Sequence, residues 1–303
     1  MRSINSTLIF GGDSFVAKNL SFGNKVTRAE CDLTNLNQIL KTLKKVNPLF
    51  VINCAAAHGS AKSMSFNHSY FLTHNFIIDS NILRACHELD IQNVVLLSSI
   101  SAFPNKENSK LSEINLYDGP VNEFNFGYNL SKRLSYDLCK TYALDFNRNY
   151  KVLFLGNLYG KYGKFALDSN VLHSVIFQIW QAKLEGKDLK LYGTGEDQRA
   201  FTFVEDLNLF IETFITKENI ESAIFSSNEV YSIREITKKV AVLMNFEGKI
   251  MFTGETFNNQ KRKVISAEYL MEKIPNLKLT PLDYGLRKVV DWYVNPLNHQ
   301  IDF

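Results

Sequence analysis

Long apolar runs, a strong charge of one sign and paired cysteines are all missing from this sequence of 303 residues. No stretch approaches the ~18 apolar residues that a membrane-spanning helix needs, and the apolar run near the N-terminus is too short for a signal peptide. The formal net charge of +3 is too small to indicate nucleic acid or a membrane surface as a partner by itself. We therefore expect a cytoplasmic protein that binds neither nucleic acid nor membranes.

Cysteine is scarce, and its spacing excludes two common uses. The four residues Cys31, Cys54, Cys86 and Cys139 form no CxxC pair and no zinc-type spacing, so the sequence predicts no metal site. The surroundings of Cys54 and Cys86 are apolar, which favours buried free thiols over disulfides. Free thiols are typical of a reducing compartment.

What remains is the composition of a globular protein with a sizeable core, 45% hydrophobic and 21% charged. The chain is longer than one ordinary domain. We predict a first, larger domain over residues 1–160, to which the chain returns at about residues 200–228. Residues 161–303 are then mainly a smaller, mixed α/β domain.

Strand and helix patterns alternate through the first half of the chain. The predicted strands are Ser6–Gly11, a short second strand ending at Arg28, PLFVINCAAA, NVVLLSSI and KVLFLG. The predicted helices start at Phe15, start behind Asp32 and Thr34, and span Asn75–Leu89 and Gly127–Phe146; three more follow in VEDLNLFIETFI, IREITKKVAVLM and LRKVVDWYV. Apolar strands that alternate with helices indicate an α/β fold with a doubly wound parallel sheet, the Rossmann architecture.

A glycine loop, FGGDSFVA from Phe10 to Ala17, follows the first strand. A dinucleotide fingerprint uses three small residues: one for a tight turn, one for the approach of the pyrophosphate and one for helix packing. Only Gly11 keeps its glycine in this register, whereas Ser14 and Ala17 are merely small. The loop is therefore either a degenerate dinucleotide site or an ordinary Gly-Gly turn, and its place after the first strand favours the former.

The choice of dinucleotide depends on the end of the second strand. Arg28 there suits the 2′-phosphate of NADP, where an acidic residue would suit the ribose of NAD. A solvated surface arginine is the alternative, and Asp13 in the glycine loop would repel the phosphate. We predict NADPH, with NADH possible; the cofactor contacts are Gly11, Gly12, Ser14, Phe15, Arg28, Asp32, Leu33, Ala55, Ala56 and Lys132.

Tyr128 and Lys132 have the spacing of a catalytic pair, because residues four apart lie on one face of a helix. A neighbouring ammonium favours a tyrosine phenolate, and the tyrosine could then exchange a proton with a carbonyl oxygen. Such a spacing also arises by chance. Ser98, Ser99 and Ser101 strengthen the interpretation, because they end a strand where open α/β sheets bind ligands. Serines that cap the turn are the alternative.

Taken together these segments resemble the extended short-chain dehydrogenases/reductases, and among them the GDP-L-fucose synthase family. The matching segments are Arg28 before DL, NCAAA, the helix with Asn75 and Asn81, SSISAFPN, NFGYNLSK, GNLYG, GTGEDQRAFTFVEDL and the final DWY. The resemblance implies a catalytic triad of Ser99, Tyr128 and Lys132, and a homodimer formed through the helices at 75–89 and 127–146. It also implies a nucleotide-sugar substrate, with Ser101, Asn157, Asn170, Arg199 and Arg262 in contact with it. The basic run around Arg262 and Lys263 could equally be a solvated surface.

Two positions depart from the family's pattern. Fucose synthases carry a cysteine two residues after the catalytic serine and a histidine after NLYG, and these two groups epimerise C3 and C5. Here the positions hold Ser101 and Asn170, and His173 lies one helical turn further on. We therefore predict a C4 keto-reductase of a nucleotide-linked 4-keto-6-deoxy sugar, with GDP as the expected nucleotide and without epimerase activity. The alternatives are a full epimerase-reductase that uses His173 and Ser101, and a catalytically silent dinucleotide-binding protein.

Overall fold

The computed structural model describes residues 4–59, 61–105, 110–217, 220–255, 264–265, 274, 277–295 and 297–298. Its strands are β1 Thr7–Phe10, β2 Asn24–Val26, β3 Phe50–Asn53, β4 Asn93–Ser99, β5 Lys110–Leu111, β6 Asn149–Leu155, β7 Asn157–Tyr159, β8 Leu189–Leu191, β9 Gln198–Phe203, β10 Ser222–Phe225, β11 Val230–Ser232, β12 Ile250–Phe252 and β13 Val264–Ile265. Its α-helices are α1 Phe15–Asn19, α2 Leu36–Val46, α3 Ala61–Met64, α4 His68–Glu88, α5 Phe126–Phe146, α6 Val171–Glu185, α7 Leu207–Thr216, α8 Ile233–Leu243 and α9 Leu282–Val294.

The central sheet has six strands in the order β10-β6-β4-β3-β1-β2, and every neighbouring pair is parallel. This confirms the predicted doubly wound α/β fold. The chain leaves β1 towards β2 on one side and then returns to place β3 on the other side. In such a sheet the ligand crevice lies outside the carboxyl ends of the strands where the order reverses. Here that point lies between β1 and β3.

Alternating side chains in the central strands separate two hydrophobic layers. Leu8 and Phe10 pack with α2, α4 and α5 on one face, whereas Ile9 packs with α1 and α7 on the other. All three side chains are fully buried, as expected for a parallel sheet covered on both faces. A third cluster joins α6, α8 and α9 to β8 and β9, outside the central sheet.

Element ends differ from the sequence prediction where capping decides them. Helix α2 begins after Asn35, whose Oδ1 accepts the backbone N–H groups of Asn37 and Gln38, so Asn35 rather than Asp32 or Thr34 is the cap. Helix α4 begins at His68, about two turns before the predicted start at Asn75. Strand β2 ends at Val26, and Arg28 lies in the following turn, not at the strand's end.

Candidate active site

The carboxyl ends of β1 and β3 are packed tightly together. The Cys54 N–H donates to the carbonyl of Phe10 at 3.0 Å, which continues the ladder beyond the strands. Gly11 has φ +74°, and a Cβ added there would lie 2.6 Å from the backbone nitrogen of Ala55. Only glycine fits this position, because both the left-handed backbone and the close contact exclude a side chain. The glycine of the predicted fingerprint is thus required because the chain after β1 passes very close to the chain after β3.

The rest of the glycine loop turns directly into α1. The Gly12 N–H donates to Val26 O of β2 at 2.9 Å. Ser14 is the N-cap, and its Oγ accepts the Ala17 N–H at 3.2 Å. The first N–H groups of a helix have no acceptor within the helix, so those of Phe15 and Val16 face the loop. Phe15 packs edge-on against the ring of His173, with centroids 5.3 Å apart.

The other predicted cofactor residues lie on either side of this loop. Arg28 is exposed in the turn after β2, and its charge lowers the pKa of Asp32, although hydrogen bonds from Thr34 lower it more. Leu33 is buried beside them. Beyond β3, the Ala55 N–H donates to Asn53 Oδ1 at 2.9 Å, and Ala56 is exposed.

Ser99 and Tyr128 meet at the end of β4. A hydrogen bond joins the side chains of Ser99 and Tyr128, and Ser99 Oγ also accepts the Ser101 N–H at 3.1 Å. Ser98 has a different task, since its buried Oγ donates to Lys132 O at 2.6 Å and ties β4 to α5. Ser101 Oγ is buried and has no hydrogen-bond partner among the described residues. Such an atom suits a polar group of a ligand, because a buried hydroxyl without a partner is costly.

Burial controls the acidity of the tyrosine. Desolvation raises the pKa of Tyr128 to about 12, and the hydrogen bond with Ser99 opposes this rise. The phenolate expected from the neighbouring ammonium is therefore not favoured, and the phenol stays protonated near neutral pH. A protonated phenol can donate to a carbonyl oxygen, which is the chemistry of a general acid.

Lys132 is almost completely buried one helical turn away from Tyr128. Its Nζ lies 5.8 Å from the centroid of the Tyr128 ring. Burial lowers the pKa of Lys132, and the Asp79 carboxylate opposes that fall. Within the described part of the chain, its hydrogen bond is a long one of 3.4 Å to Leu97 O. An ammonium has three N–H donors, so Lys132 retains donors for a ligand.

Two polar residues near this group escaped the sequence interpretation. The exposed ring of His58 lies edge-on to the Tyr128 ring, with centroids 5.3 Å apart. Asp79 is buried on α4 and acts on Lys132 electrostatically. His58 could have been noticed because it follows NCAAA at the end of a strand. Asp79 had no such signal, since it reads as one polar residue inside a helix.

Apart from Ser101 after β4, the described residues that were predicted to bind the substrate lie on the elements that follow β6. Asn157 Nδ2 donates to Ala200 O at 3.1 Å, which ties β7 to β9. Arg199 is partly buried on β9, and burial lowers the pKa of its guanidinium. Arg262 and Lys263 lie outside the described residues.

Asn170 and His173 are bonded to each other. Asn170 caps α6, and its Oδ1 accepts the His173 N–H at 3.0 Å. Its Nδ2 therefore faces His173 Nδ1, 2.9 Å away, so Nδ1 is the acceptor and Nε2 carries the proton. Nε2 donates to Gly160 O at 3.0 Å. The imidazole is fully buried, and burial lowers the pKa of His173 to about 4.

Neither a metal cluster nor a membrane-spanning helix is found in the described part of the chain. No group of three or more His, Cys, Asp or Glu side chains there could hold a metal ion. No helix there is long and apolar enough to cross a membrane. The four cysteines are free thiols.

Comparison with known proteins places this geometry among relatives. Residues 9–233 match the model of the NAD dependent epimerase/dehydratase family. The GDP-L-fucose synthase of Dictyostelium discoideum is 26% identical over 97% of this chain and 96% of its own. A GDP-L-fucose synthetase structure from Naegleria fowleri matches with a TM-score of 0.89 and 21% identity, over 98% of this chain and 96% of its own. A Campylobacter jejuni GDP-mannoheptose C4 reductase with NADP bound matches with a TM-score of 0.83 and 20% identity, over 97% and 100%.

Proposed function

Because the chain belongs to the NAD-dependent epimerase/dehydratase family, we propose that it is an NADPH-dependent C4 keto-reductase of a nucleotide-linked 4-keto-6-deoxy sugar. The observation that carries the proposal is the contact of Ser99 with a protonated Tyr128 beside the buried ammonium of Lys132. The substrate is GDP-linked, as the names of the fucose synthase and mannoheptose reductase relatives support. We also propose that residues 1–160 and about 200–228 hold the cofactor and residues 161–303 mainly the sugar nucleotide.

The residues present fit a dinucleotide at the reversal between β1 and β3. Gly11 and Ala55 bring only small residues to that edge, and α1 begins directly after it with the first N–H groups of the helix. Lys132 keeps donors for ribose hydroxyls. Arg28 is exposed beyond β2, and the acidic side chains that follow it, Glu30 and Asp32, already accept hydrogen bonds from Thr27 and Thr34. Asp13 in the glycine loop opposes a 2′-phosphate.

In the proposed reaction the protein holds the keto sugar and supplies a proton. Bound NADPH supplies the hydride that reaches C4. Ser99 donates a hydrogen bond to the C4 carbonyl oxygen and orients it, and the Tyr128 hydroxyl gives that oxygen its proton as charge develops there. Lys132 stabilises the phenolate that Tyr128 becomes. Ser101 Oγ and Arg199 contact the sugar and the diphosphate, since a guanidinium meets phosphate oxygens well.

We propose no epimerisation, because Ser101 and Asn170 stand where the resemblance expects the cysteine and the histidine that carry it out. An epimerase must move protons at carbon atoms, which requires groups that titrate near neutral pH. His173 has both ring nitrogens engaged and its pKa lowered to about 4. Ser101 is an alcohol, and Asn170 is an amide occupied by His173. These contacts support the reductase and disfavour the alternative in which His173 and Ser101 epimerise the sugar.

The proposed protein is a homodimer formed through α4 and α5. Large apolar side chains are exposed on or near these two helices, namely Tyr70, Phe76, Ile77, Phe126, Leu144 and Phe146. Exposed apolar side chains that collect on one face mark interaction sites, so these residues support α4 and α5 as the proposed interface. The four free thiols fit the expected cytoplasmic location, which stays a prediction.

The test is a panel of 4-keto-6-deoxy sugar nucleotides assayed with NADPH and with NADH. We expect oxidation of NADPH with a GDP-linked member and a C4 alcohol in the product by NMR. In heavy water, no deuterium should enter C3 or C5 unless a separate epimerase is added. Deuterium at those positions would establish the epimerase-reductase instead. A protein that oxidises no cofactor with any member, and whose cellular role survives Tyr128→Phe, would be a silent dinucleotide-binding protein.

A further inference from the structure

A buried carboxylate, that of Asp79, lies between strand β3 and helix α5. Asp79 on α4 is only 4% exposed. Its Oδ1 accepts from Asn53 Nδ2 of β3 at 2.8 Å, and its Oδ2 accepts from Ser135 Oγ of α5 at 2.6 Å. A carboxylate that is buried between other elements is costly unless its hydrogen bonds are satisfied and its charge is compensated.

The hydrogen-bond directions define the charge of this group. Asn53 Oδ1 accepts the Ala55 N–H, so its amide nitrogen must face Asp79 and donate. Ser135 has one hydroxyl proton, which it can donate to the other oxygen at 2.6 Å or to Ser131 O at 3.2 Å. When it donates over the shorter distance to Asp79, both oxygens are acceptors, as in an ionised carboxylate. Burial raises the pKa of Asp79, whereas the Lys132 ammonium and the two hydrogen bonds hold it down.

The same contacts connect helix α5 to the segment after β3, which packs against Gly11 of the glycine loop. Ala55, which excludes a side chain at Gly11, donates to Asn53, and Asn53 donates to Asp79. Asp79 in turn receives Ser135, which lies one helical turn after Lys132. A shift of the segment after β3 relative to α5 would stretch at least one bond of this series.

The charged and titratable groups that face Asp79 come from α5. Lys132 is the cation, and its ammonium and the Asp79 carboxylate each favour the charged form of the other. Cys139, the remaining titratable neighbour, is held as a neutral thiol because burial and the Asp79 charge both raise its pKa. Asn53 on β3 and Ser135 are neutral. The carboxylate therefore acts mainly on Lys132.

We propose that Asp79 is a positioning residue of the active site. It keeps the buried Lys132 ammonium charged, and it fixes α5 against β3 and the segment that follows β3. It does not touch the substrate and acts through Lys132. Without it, Lys132 would lose its proton more easily in its apolar surroundings, and the Tyr128 phenolate would lose its stabilising charge. The kinetic part of this inference rests on the proposed reductase function.

Asp79→Asn tests the charge with almost no change in shape. We expect the alkaline fall of kcat/KM for keto-sugar reduction to move to lower pH by about one unit or more, because an opposite charge shifts a buried pKa by that order. A pH profile that coincides with wild type would overturn the proposal. Ile82→Val, a fully buried change one turn further along α4, is the control for lost stability and should leave the profile in place.

A titration without substrate separates this inference from the function. In the free protein, 13C NMR of the Lys132 side chain, assigned with Lys132→Met, should show its proton lost at lower pH in Asp79→Asn. An unchanged titration overturns the role of Asp79, whatever the substrate is. A shifted titration in a protein that reduces no sugar of the panel supports Asp79 and counts against the reductase. If Asp79→Asn does not fold, Asp79→Ser, which also removes the charge, should give a shift in the same direction, and no shift there would overturn the proposal.

Discussion

At the scale of single residues, the position of Tyr128 determines what kind of chemistry it can do. Its spacing from Lys132 predicted a tyrosine poised to ionise, but burial raises the pKa of the phenol to about 12 against the opposing hydrogen bond with Ser99. A phenol of that kind is a weak acid in the ground state and donates only as negative charge develops on the acceptor. In the proposed reaction the proton therefore leaves Tyr128 only as that charge forms.

Removing the hydroxyl of Tyr128 should remove most of the rate. We expect Tyr128→Phe to lower kcat by about 10²-fold or more, the usual contribution of a positioned general acid, with little change in the affinity for NADPH. Steady-state kinetics and cofactor titration measure the two effects. Tyr136→Phe is the matched control on the same helix, since Tyr136 donates only to the exposed Glu221 at 3.2 Å. A Tyr128→Phe protein with an undiminished kcat would exclude Tyr128 as the proton donor.

At the scale of elements, a contact between the first turns of α4 and α5 determines where Tyr128 lies. Gly127, beside Tyr128, is buried against the backbone of His68, the first residue of α4. A Cβ at Gly127 would overlap the His68 carbonyl. Periodicity did not predict that α4 begins as early as His68. This early start provides the backbone against which the first turn of α5 packs.

Gly127→Ala should act against helix propensity. Alanine favours a helix by about 1 kcal/mol over glycine, but the overlap with His68 must push α5 aside at a cost of about 1–3 kcal/mol. We expect a net loss in the free energy of unfolding, measured with urea. We also expect kcat to fall roughly tenfold or more, because small displacements of reacting groups are costly. A more stable protein with wild-type kcat would show that the contact of Gly127 with His68 does not position α5.

The elements show how far local sequence patterns reach. Apolar periodicity predicted the strands and helices of the parallel sheet because burial on both faces leaves near-continuous apolar runs. It could not predict Lys151, which is fully buried in β6, because its ammonium is satisfied by the carbonyls of Phe214 and Lys217 at the end of α7. Those partners lie more than sixty residues away, so the compensation exists only in the fold.

The site shows the same limit. Ser99, Tyr128 and Lys132 were found because their residue types and strand-end or helical spacing are local features, and the fold brings the serine to the tyrosine; their catalytic roles stay predictions. Asp79 was not found, since its partners belong to β3 and α5. His173, which the sequence left open as an acid–base group, is bonded to Asn170 and Gly160, and only the folded chain makes these contacts. That His173 takes no part in the chemistry stays a prediction.

At the scale of the whole molecule, His173 should make stability depend on pH. An unfolded histidine has a pKa near 6.5, whereas that of folded His173 is about 4. The unfolded chain thus takes up the proton first as the pH falls. The contribution is fully present above pH ~6.5 and is lost as the pH falls towards ~4, amounting to about 3 kcal/mol.

Unfolding in urea at a series of pH values measures this loss. His173→Gln removes the titrating group, so its stability should depend much less on pH between ~6.5 and ~4, even if the variant is less stable throughout. His74→Gln, on the partly exposed face of α4, should retain the wild-type slope. Equal slopes in wild type and His173→Gln would show that the imidazole is accessible, and would reopen its role as an acid–base group.

The replacement at Ser101 also has a pharmacological consequence. Three of the four thiols are buried, and burial raises the pKa of the fourth, Cys54, to about 12. The cleft thus offers no nucleophilic sulfur to an electrophile. Covalent inhibitors and alkylating agents aimed at a cleft cysteine should spare this protein, so sensitivity to them could sort fucose-synthase-like enzymes in a crude extract by the chemistry they perform.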